Sequence, residues 1–452
     1  MSQENKLKRE LGLLPATAIV VGNMIGSGIF AAPQGLAAAS TPLWTMVAWA
    51  ITGLGSLLVA LSFANLGTKF PETGGPVVYT RKAFGEATAF MVSFTFWIGL
   101  WVGNAAIIVT LTRYLSELFP IFYESPLAGF LAQTIMLWLF TWINIRGVKG
   151  TGKVSQYTLY IKFLALGLFI VVGLIGFNAA NLSTISDSAA AIGAEGRHGL
   201  AATLPVAIGI TLWSFIGIES AAVAGGEVKD PERNIRRSTL YGTILTILIY
   251  MLISFVAMGA MSQQELSVQA APMATILNTL LGTNLGGRFF ALCIVLGGIG
   301  SGSGWVLSTG RTGFSMAEDG YFPRAFAKVN TSTGVPVYAL VFSSILTNIM
   351  FLLSFIGLTE AFDFLIAIAS LTMMPAYIFS CLAEMKLLRQ IQGKVSLGKF
   401  IAKMFLPLLA FFYILYVMYA VGAEYVMYTF LLLLAGIPIF IYAKMQNHQS
   451  SN

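Results

Sequence analysis

A glycine-rich stretch decides the fold of this chain: Gly22-Asn23-Met24-Ile25-Gly26-Ser27-Gly28-Ile29-Phe30, in the middle of its first apolar segment. Three glycines within seven residues weaken a helix, because glycine loses more backbone freedom on folding than other residues. Inside a bilayer, a broken backbone is tolerated only where protein or a water-filled cavity satisfies the freed N–H and C=O groups. An unbroken helix with a close helix-packing face is the alternative.

The composition of the whole chain is that of a membrane protein. Of its 452 residues, 57% are hydrophobic and 10% are charged, against about 25% charged in a soluble domain. One membrane domain over 1–452 is therefore predicted, without a cleaved signal peptide. Apolar segments of about 20 residues, long enough to cross a bilayer, predict twelve spans: 13–38, 43–66, 87–115, 126–145, 155–178, 201–226, 238–260, 286–315, 335–356, 361–385, 403–421 and 425–444.

The distribution of basic residues predicts the orientation. Twelve spans place both termini on one side, and basic residues gather there in the N-terminal segment and in the loops 66–87, 145–155, 226–238, 315–335 and 385–403. Only Arg113, Arg197 and Arg288 of the 26 basic residues are assigned to the other side. The positive-inside rule makes the basic side the cytoplasm of a cell with this protein in its inner (plasma) membrane. Because the net charge of +7 is dispersed over short loops, no nucleic-acid partner is predicted.

A second interrupted segment lies in the sixth predicted span, Trp213-Ser214-Phe215-Ile216-Gly217-Ile218-Glu219-Ser220. Five spans separate the two breaks, and interrupted spans in corresponding positions of two halves are typical of inverted-repeat transporters. The second half-helix of such a span aims free N–H groups at an anion such as a carboxylate. The sequence thus predicts a first repeat at 13–178, a second at 201–385 and two additional helices at 403–444.

Two charged residues are assigned deep inside predicted spans. Glu219 is the only carboxylate assigned deep inside one, where charging it costs roughly 2.5–3.5 kcal/mol. A carboxyl that gains and loses a proton as its surroundings turn from dry to wet could couple protons to substrate movement; a permanently hydrogen-bonded structural carboxyl is the alternative. Lys162 either extends to the membrane surface or donates to carbonyls that the broken first span releases.

Three further polar or aromatic side chains could form a substrate pocket: Trp101 and Asn104 in the third span and Trp305 in the eighth. Tryptophan faces attract cations, and an asparagine carbonyl oxygen can accept from a guanidinium or ammonium. Small residues at 297–304 are expected to leave room around Trp305. Most tryptophans of membrane proteins are interface anchors or core residues, which is the alternative for each of these.

The sequence favours a transporter over an enzyme or a channel. The two cysteines, Cys293 and Cys381, lie in separate apolar segments, and the two histidines, His198 and His448, lie in a loop and a tail. Such residues form no predicted metal, cofactor or catalytic site. A channel should show a filter-like run or charged rings, and it does not need paired broken helices.

Several collinear motifs resemble the amino acid–polyamine–organocation superfamily, in particular its basic amino acid/polyamine antiporter branch, over essentially the whole chain. These motifs are Gly22 to Phe30, Gly74-Gly75-Pro76 with Tyr79, Ala83-Phe84-Gly85, and Asp230-Pro231-Glu232-Arg233-Asn234. The segments Leu212 to Ala221 and Trp101-Val102-Gly103-Asn104 are most similar to those of bacterial arginine/agmatine exchangers.

This resemblance implies a LeuT-type fold of two inverted five-helix repeats plus two helices, usually paired as a homodimer. It also implies roles for residues at matching positions: Gly26, Ser27 and Gly28 for the substrate carboxylate, Asn104 for the distal cationic group, Trp213, Ile216 and Trp305 for the substrate stem and gate, and Glu219 for protonation. Asn23, Ile25, Trp101 and Ser214 complete the predicted substrate-binding set, and Lys162 joins Glu219 in the predicted proton-coupling set.

Two departures from the arginine/agmatine exchangers leave the substrate and the coupling mode open. Phe96 and Leu100 stand where those exchangers carry an aromatic hydroxyl and a smaller residue. Lys162 is similar instead to the fifth-span lysine of other amino acid transporters. The predicted function is exchange of a cationic amino acid for its decarboxylated amine or another amino acid, linked to protons. A proton-coupled amino acid symporter of broader specificity is the alternative.

Overall fold

The computed structural model describes residues 9, 11–72, 74–146, 148–182, 200–330, 333–357, 361–392 and 396–449. Its α-helices are α1 (Leu13–Met24), α2 (Ser27–Ala39), α3 (Pro42–Lys69), α4 (Pro76–Phe84), α5 (Glu86–Leu115), α6 (Ile121–Glu124), α7 (Pro126–Ile145), α8 (Val148–Ile175), α9 (Leu200–Ser214), α10 (Ser220–Val223), α11 (Pro231–Ala260), α12 (Gln263–Leu266), α13 (Pro272–Leu281), α14 (Asn284–Glu318), α15 (Val337–Phe355), α16 (Ala361–Gln392), α17 (Leu397–Val421) and α18 (Ala423–Gln449).

Eleven helical segments in the described part of the chain are long and apolar enough to cross a membrane. They match eleven of the twelve predicted spans, with ends within about two helical turns of the prediction. The remaining prediction, 201–226, falls on a divided segment whose apolar helical piece, Thr203–Ser214, is too short to cross alone. The prediction of an all-α membrane protein with about twelve spans is confirmed, whereas the division into repeats at 13–178 and 201–385 stays a prediction.

Local sequence explains where several spans begin. The Thr41 side chain accepts from the backbone N–H of Trp44 at the start of α3, and Pro42 occupies the first helical position. Ser125 and Pro126 make the same pair at the start of α7. A hydroxyl cap satisfies an N–H that the helix leaves free, and proline at this position loses no helical hydrogen bond.

Both glycine-marked stretches are breaks, as predicted. The first span divides between α1 and α2, where Ile25 has ψ 68° and Gly26 has ψ −143°. The sixth span leaves helical geometry after α9, turns at Gly217 with φ +116°, and resumes for one turn as α10. Gly217 is a necessary glycine, because side chains rarely tolerate that positive φ.

The broken spans are enclosed by other helices. α11 packs along α1 and α3, α9 packs against α2 and α3, and α14 packs against α5 and α8. α5 is buried along nearly its whole length, whereas α18 lies at the periphery. Leu11 forms a parallel β-bridge with Val228, and its carbonyl accepts from the Lys229 N–H at 2.8 Å. This bridge joins the start of the first span to the segment that follows the sixth.

Candidate functional site

The two breaks meet each other in the protein interior. A Cβ atom on Gly217 would lie 3.1 Å from the carbonyl carbon of Asn23 and equally close to the Met24 nitrogen. The Asn23 side-chain amide donates to the Ser220 hydroxyl at 2.8 Å. Segments that are 197 residues apart in the chain therefore form one junction, and glycine at 217 permits their close approach.

The beginning of α2 is suited to bind an anion. Gly26 precedes the helix without a side-chain cap, and its own N–H bonds the Met24 carbonyl at 2.7 Å. The first N–H groups of a helix have no partner within that helix, and they carry the positive end of its dipole. Ser27, which is 4% exposed, accepts at its hydroxyl from the Trp213 indole N–H at 3.0 Å. The predicted carboxylate site at Gly26 and Ser27 thus has free backbone donors available.

Gly28 has a packing function that the sequence did not indicate. A Cβ atom there would lie 2.7 Å from the Ser214 Cα atom, so only glycine lets α2 approach α9 this closely. At Gly26, by contrast, the nearest atom to an added Cβ is the Asn23 carbonyl oxygen, at 3.5 Å. Bulk at Gly28 would separate the two broken spans, so the position cannot be used to test carboxylate binding alone.

Lys162 of α8 reaches the break in the first span. Its ammonium donates to the Ile25 carbonyl at 2.7 Å and lies 3.5 Å from the Gly22 carbonyl oxygen. The residue is 3% exposed, so the side chain does not extend to the membrane surface. Of the two sequence-based alternatives, the geometry is that of an ammonium bonded to released carbonyls. Its role in coupling stays a prediction.

Three glycines of α14 pack against neighbouring helices, whereas Gly304, beside Trp305, has no atom of the other described helices within 4 Å of an added Cβ atom, so room around Trp305 stays a prediction. A Cβ atom on Gly297 would lie 2.6 Å from the Lys162 Cγ atom. Gly300 faces Thr158 of α8 in the same way, and Gly302 faces the Phe140 ring of α7. Successive glycines of this run lie on different faces of α14, so each contacts a different neighbouring helix. The absence of a side chain at Gly297 leaves space for the methylene groups of Lys162.

Glu219 lies in the turn between α9 and α10 and is 2% exposed. Its Oε2 atom accepts from the Tyr377 hydroxyl of α16 at 2.7 Å and from the Gly217 N–H at 3.1 Å. Both partners are uncharged, so no cation in these contacts offsets the cost of a buried charge. The geometry places a protonatable group against both the sixth-span turn and α16.

Tyr250 of α11 connects the two breaks from behind. Its hydroxyl oxygen lies 2.5 Å from the Met24 carbonyl oxygen and 2.9 Å from that of Ser214, and the side chain is fully buried. These carbonyls are at the ends of α1 and α9, where the helices leave acceptors without helical partners. One phenol therefore lies against both ends and can donate its single proton to either carbonyl, in a place that no local sequence pattern marked.

Asn104 presents a free acceptor. Its amide N–H donates to the Thr309 hydroxyl at 3.0 Å, and Thr309 donates its own proton to the Trp305 carbonyl at 2.8 Å. Because that hydroxyl proton is already used, Thr309 can only accept from Asn104, and this fixes the orientation of the amide. The Asn104 Oδ1 atom then has no partner among the described residues, which suits a guanidinium or ammonium.

The three tryptophans have different surroundings. Trp213 and Trp305 are 8% and 9% exposed, and a Cβ atom on Gly103 would lie 2.8 Å from the Trp213 ring. Trp101 contacts Trp97 at 6.3 Å between ring centroids and accepts at its carbonyl from Thr347 of α15. Trp97 and Thr347, the residues that Trp101 contacts here, both lie outside the broken spans.

The remaining predicted residues lie at the junction. Ile216 is 3% exposed in the turn after α9, and the Ser214 hydroxyl is buried without a partner among the described residues. Sequence analysis missed Tyr250, Tyr377, Thr309 and Ser220. Nothing in their local sequence distinguishes the two tyrosines from the other members of a set of 16, because their partners are on distant spans.

Comparison with known proteins decides the family. An amino acid permease family model matches residues 11–443. The chain belongs to this family.

The permease is 31% identical over 406 residues, 84% of each chain, to a Bacillus subtilis (strain 168) protein named "Putative arginine/ornithine antiporter". It is 30% identical over 380 residues, 82% of each chain, to the cadaverine/lysine antiporter of Escherichia coli (strain K12). It is 29% identical over 434 residues to the putrescine transporter PotE of Haemophilus influenzae, covering 95% of this chain and 96% of the relative.

These relatives confirm the predicted superfamily and its basic amino acid/polyamine antiporter branch. The permease is thus a multi-pass membrane transporter and not an enzyme, in agreement with the eleven long apolar helices in the described part of the chain and with the broken sixth span.

Proposed function

We propose that this permease exchanges a cationic amino acid for its decarboxylated amine, or for another amino acid, in the inner membrane of a bacterium. The observation that carries the proposal is the position of Trp213 between two kinds of binding group. Its indole N–H contacts Ser27 at the uncapped start of α2, and the far edge of its ring contacts Gly103, next to Asn104. Backbone donors for a carboxylate thus lie at one end of this indole, and the helix that carries the cation acceptor Asn104 lies at the other.

This arrangement explains how an amino acid and its amine could share a site. The amino acid engages both ends, whereas the amine retains the cationic group that Asn104 accepts. The names of the relatives, which include lysine with cadaverine and arginine with ornithine, support this substrate class.

Alternating access follows from two hydrogen bonds that involve the broken spans. The Ser27 to Trp213 bond joins α2 to α9, and the Glu219 to Tyr377 bond joins the sixth-span turn to α16. Breaking one bond while keeping the other would open the site to a single side of the membrane. Glu219 binds the coupled proton, both termini are cytoplasmic, and two copies associate as a homodimer within the lipid.

A counterflow experiment tests the function. Proteoliposomes loaded with excess lysine should accumulate labelled lysine, arginine and ornithine, and external cadaverine, putrescine and agmatine should compete for that uptake. Leucine and glutamate should not compete, because they lack a distal cation for Asn104. Uptake of neutral amino acids into empty vesicles, driven by an imposed pH gradient, would instead support the proton-coupled symporter.

Substituting Asn104 tests the cation-binding end. Asn104→Ala should weaken binding of cationic substrates by roughly 1–2 kcal/mol, a factor of about 5 to 30, because the substrate loses an acceptor in a dry site. Calorimetry with lysine and with a neutral lysine analogue measures the difference between the two classes. Thr110→Val on the same helix is the control, since the Thr110 hydroxyl only bonds its own helix at Ala106. Equal losses for both substrates would assign Asn104 to packing.

A further inference from the structure

A second carboxyl group is buried within a span. Glu384 of α16 is 2% exposed, so the prediction that Glu219 is the only deep carboxylate is wrong. The sequence placed Glu384 at the end of a span closing at residue 385, but α16 continues to Gln392, about two turns further. The residue is therefore enclosed by neighbouring helices instead of lying at the membrane surface.

The contacts of Glu384 are made to neutral groups. Its Oε1 atom accepts from the Asn65 amide of α3 at 2.7 Å. Its Oε2 atom and the hydroxyl oxygen of the adjacent Ser62 are both buried without a hydrogen-bond partner among the described residues. The Ser62 hydroxyl can accept from a protonated Oε2 or donate to an ionised one, so this neighbour suits both states of the acid. Burial among neutral groups, with no cation in direct contact, favours the protonated state.

The guanidinium of Arg236 is linked to the Glu384 carboxyl through the side chain of Asn65. Arg236 of α11 is exposed and donates to the Asn65 Oδ1 atom at 3.3 Å, so Asn65 stands between the guanidinium and the carboxyl. On its own helix, the nearest titratable neighbour of Glu384 is Cys381, one turn earlier. The titratable group that α17 contributes is the Tyr413 hydroxyl, and its proton is donated to the Thr52 carbonyl.

Other charged groups on the packed helices are engaged elsewhere or face outward. The pairs are Arg81 with Asp319, Lys82 with Glu72, and Lys444 with Glu86, while Lys386 lies over the Phe84 ring. Lys69 and Lys403 are exposed.

Glu384 also shares a helix face with the partner of Glu219. Tyr377 precedes it by seven residues, which is two turns or about 10.5 Å along α16. The Tyr377 ring contacts Phe63 of α3, the residue that follows Ser62, at 5.3 Å between centroids. Movement of α16 away from α3 would therefore disturb both acids together.

We propose that Glu384 is a second proton-binding site of the transporter. It is neutral while α16 packs on α3. When those helices separate, its O–H bond breaks, the proton passes to water on the basic-residue side, and Arg236 pairs with the carboxylate that remains. The site thus loses its proton to that side when the helices separate and takes one up from that side when they pack again, so the exchange rate depends on the pH there. This inference rests on the proposed function and deepens it, because it adds a second titrating group to the pH dependence of exchange.

An infrared titration tests the protonation state without requiring transport. The purified protein at pH 7 should show a carboxylic acid C=O stretching band that Glu384→Gln removes. The control Glu265→Gln, which alters an exposed side chain, should retain the band. Ser62→Ala should keep the band but shift it, because the acid loses its acceptor. A spectrum that Glu384→Gln leaves unchanged means that Glu384 is ionised, and it overturns the proposal even if exchange occurs.

Exchange assays test the role in coupling. Glu384→Gln fixes the neutral form, so it should match the wild-type rate near pH 5 and show a smaller change of rate between pH 5 and 8, with Glu219 carrying the larger share of that change. Unchanged pH dependence in this variant would exclude Glu384 from coupling. Absence of any exchange by the wild-type protein would contradict the proposed function, while the infrared result would still decide the protonation of Glu384.

Discussion

Glu219→Gln should make exchange nearly independent of pH between about 5 and 8. Glutamine keeps the carbonyl oxygen that accepts from Tyr377 and Gly217, but it cannot gain or lose a proton at these pH values. In the wild-type protein, the buried turn favours the neutral acid, and opening to water allows ionisation. The variant would retain the closed arrangement and lose the titration. Its exchange rate, whether low or close to that of the wild type, should therefore not change with pH.

Uptake of labelled lysine into lysine-loaded proteoliposomes, measured across that pH range, gives the profile. Glu265→Gln serves as the control because the Glu265 side chain is exposed and bonds Ser262 in a loop. Tyr377→Phe adds a second comparison, since it removes the phenol but leaves the carboxyl able to titrate. A wild-type profile in Glu219→Gln would show that the coupled proton is bound elsewhere.

Lys162→Met should reduce turnover at every pH by roughly 5- to 150-fold. Methionine keeps most of the stem that fills the space beside Gly297 but removes the ammonium that bonds Ile25. The Ile25 carbonyl, on a fully buried residue, would then lose its donor, at a cost of about 1–3 kcal/mol. That cost acts on the conformation of the broken span, so the loss should not follow the titration of a carboxyl.

The comparison with Glu219→Gln separates the two roles. A uniform loss in Lys162→Met and a flattened profile in Glu219→Gln would assign the lysine to positioning and the carboxyl to coupling. Lys82→Met is the matched control, because Lys82 forms a surface ion pair with Glu72. Normal turnover by Lys162→Met at any pH would contradict the positioning role.

The features that the sequence predicted are those that one segment determines alone. Glycines at 22, 26 and 28 weaken the first span wherever it packs, and the break between Met24 and Ser27 is present. A lysine about nine residues into an apolar segment must find acceptors for its ammonium group inside the protein or at the membrane surface. Lys162 donates to a carbonyl that the broken first span releases. Length and apolarity set the other spans, because the bilayer thickness is constant.

The features that it missed depend on how helices face each other. Tyr250 and Tyr377 become important only because α11 and α16 turn them toward the breaks. Gly297 faces the Lys162 side chain because the rotation of α14 about its axis is fixed by many contacts at once. Glu384 lies one residue before the end of the predicted span 361–385, and the ends of an apolar segment do not show how far its helix continues.

The bridge between Leu11 and Val228 links the backbone before the first span to the backbone after the sixth span. The Lys229 N–H and the Leu11 carbonyl join backbone to backbone, so a force on one segment reaches the other without rearranging any side chain. An antibody fragment bound to the adjacent turn at Asp230 would therefore restrain α1, even though it touches neither the site nor the first span. Binding at this turn should therefore slow exchange without any ligand at the broken spans.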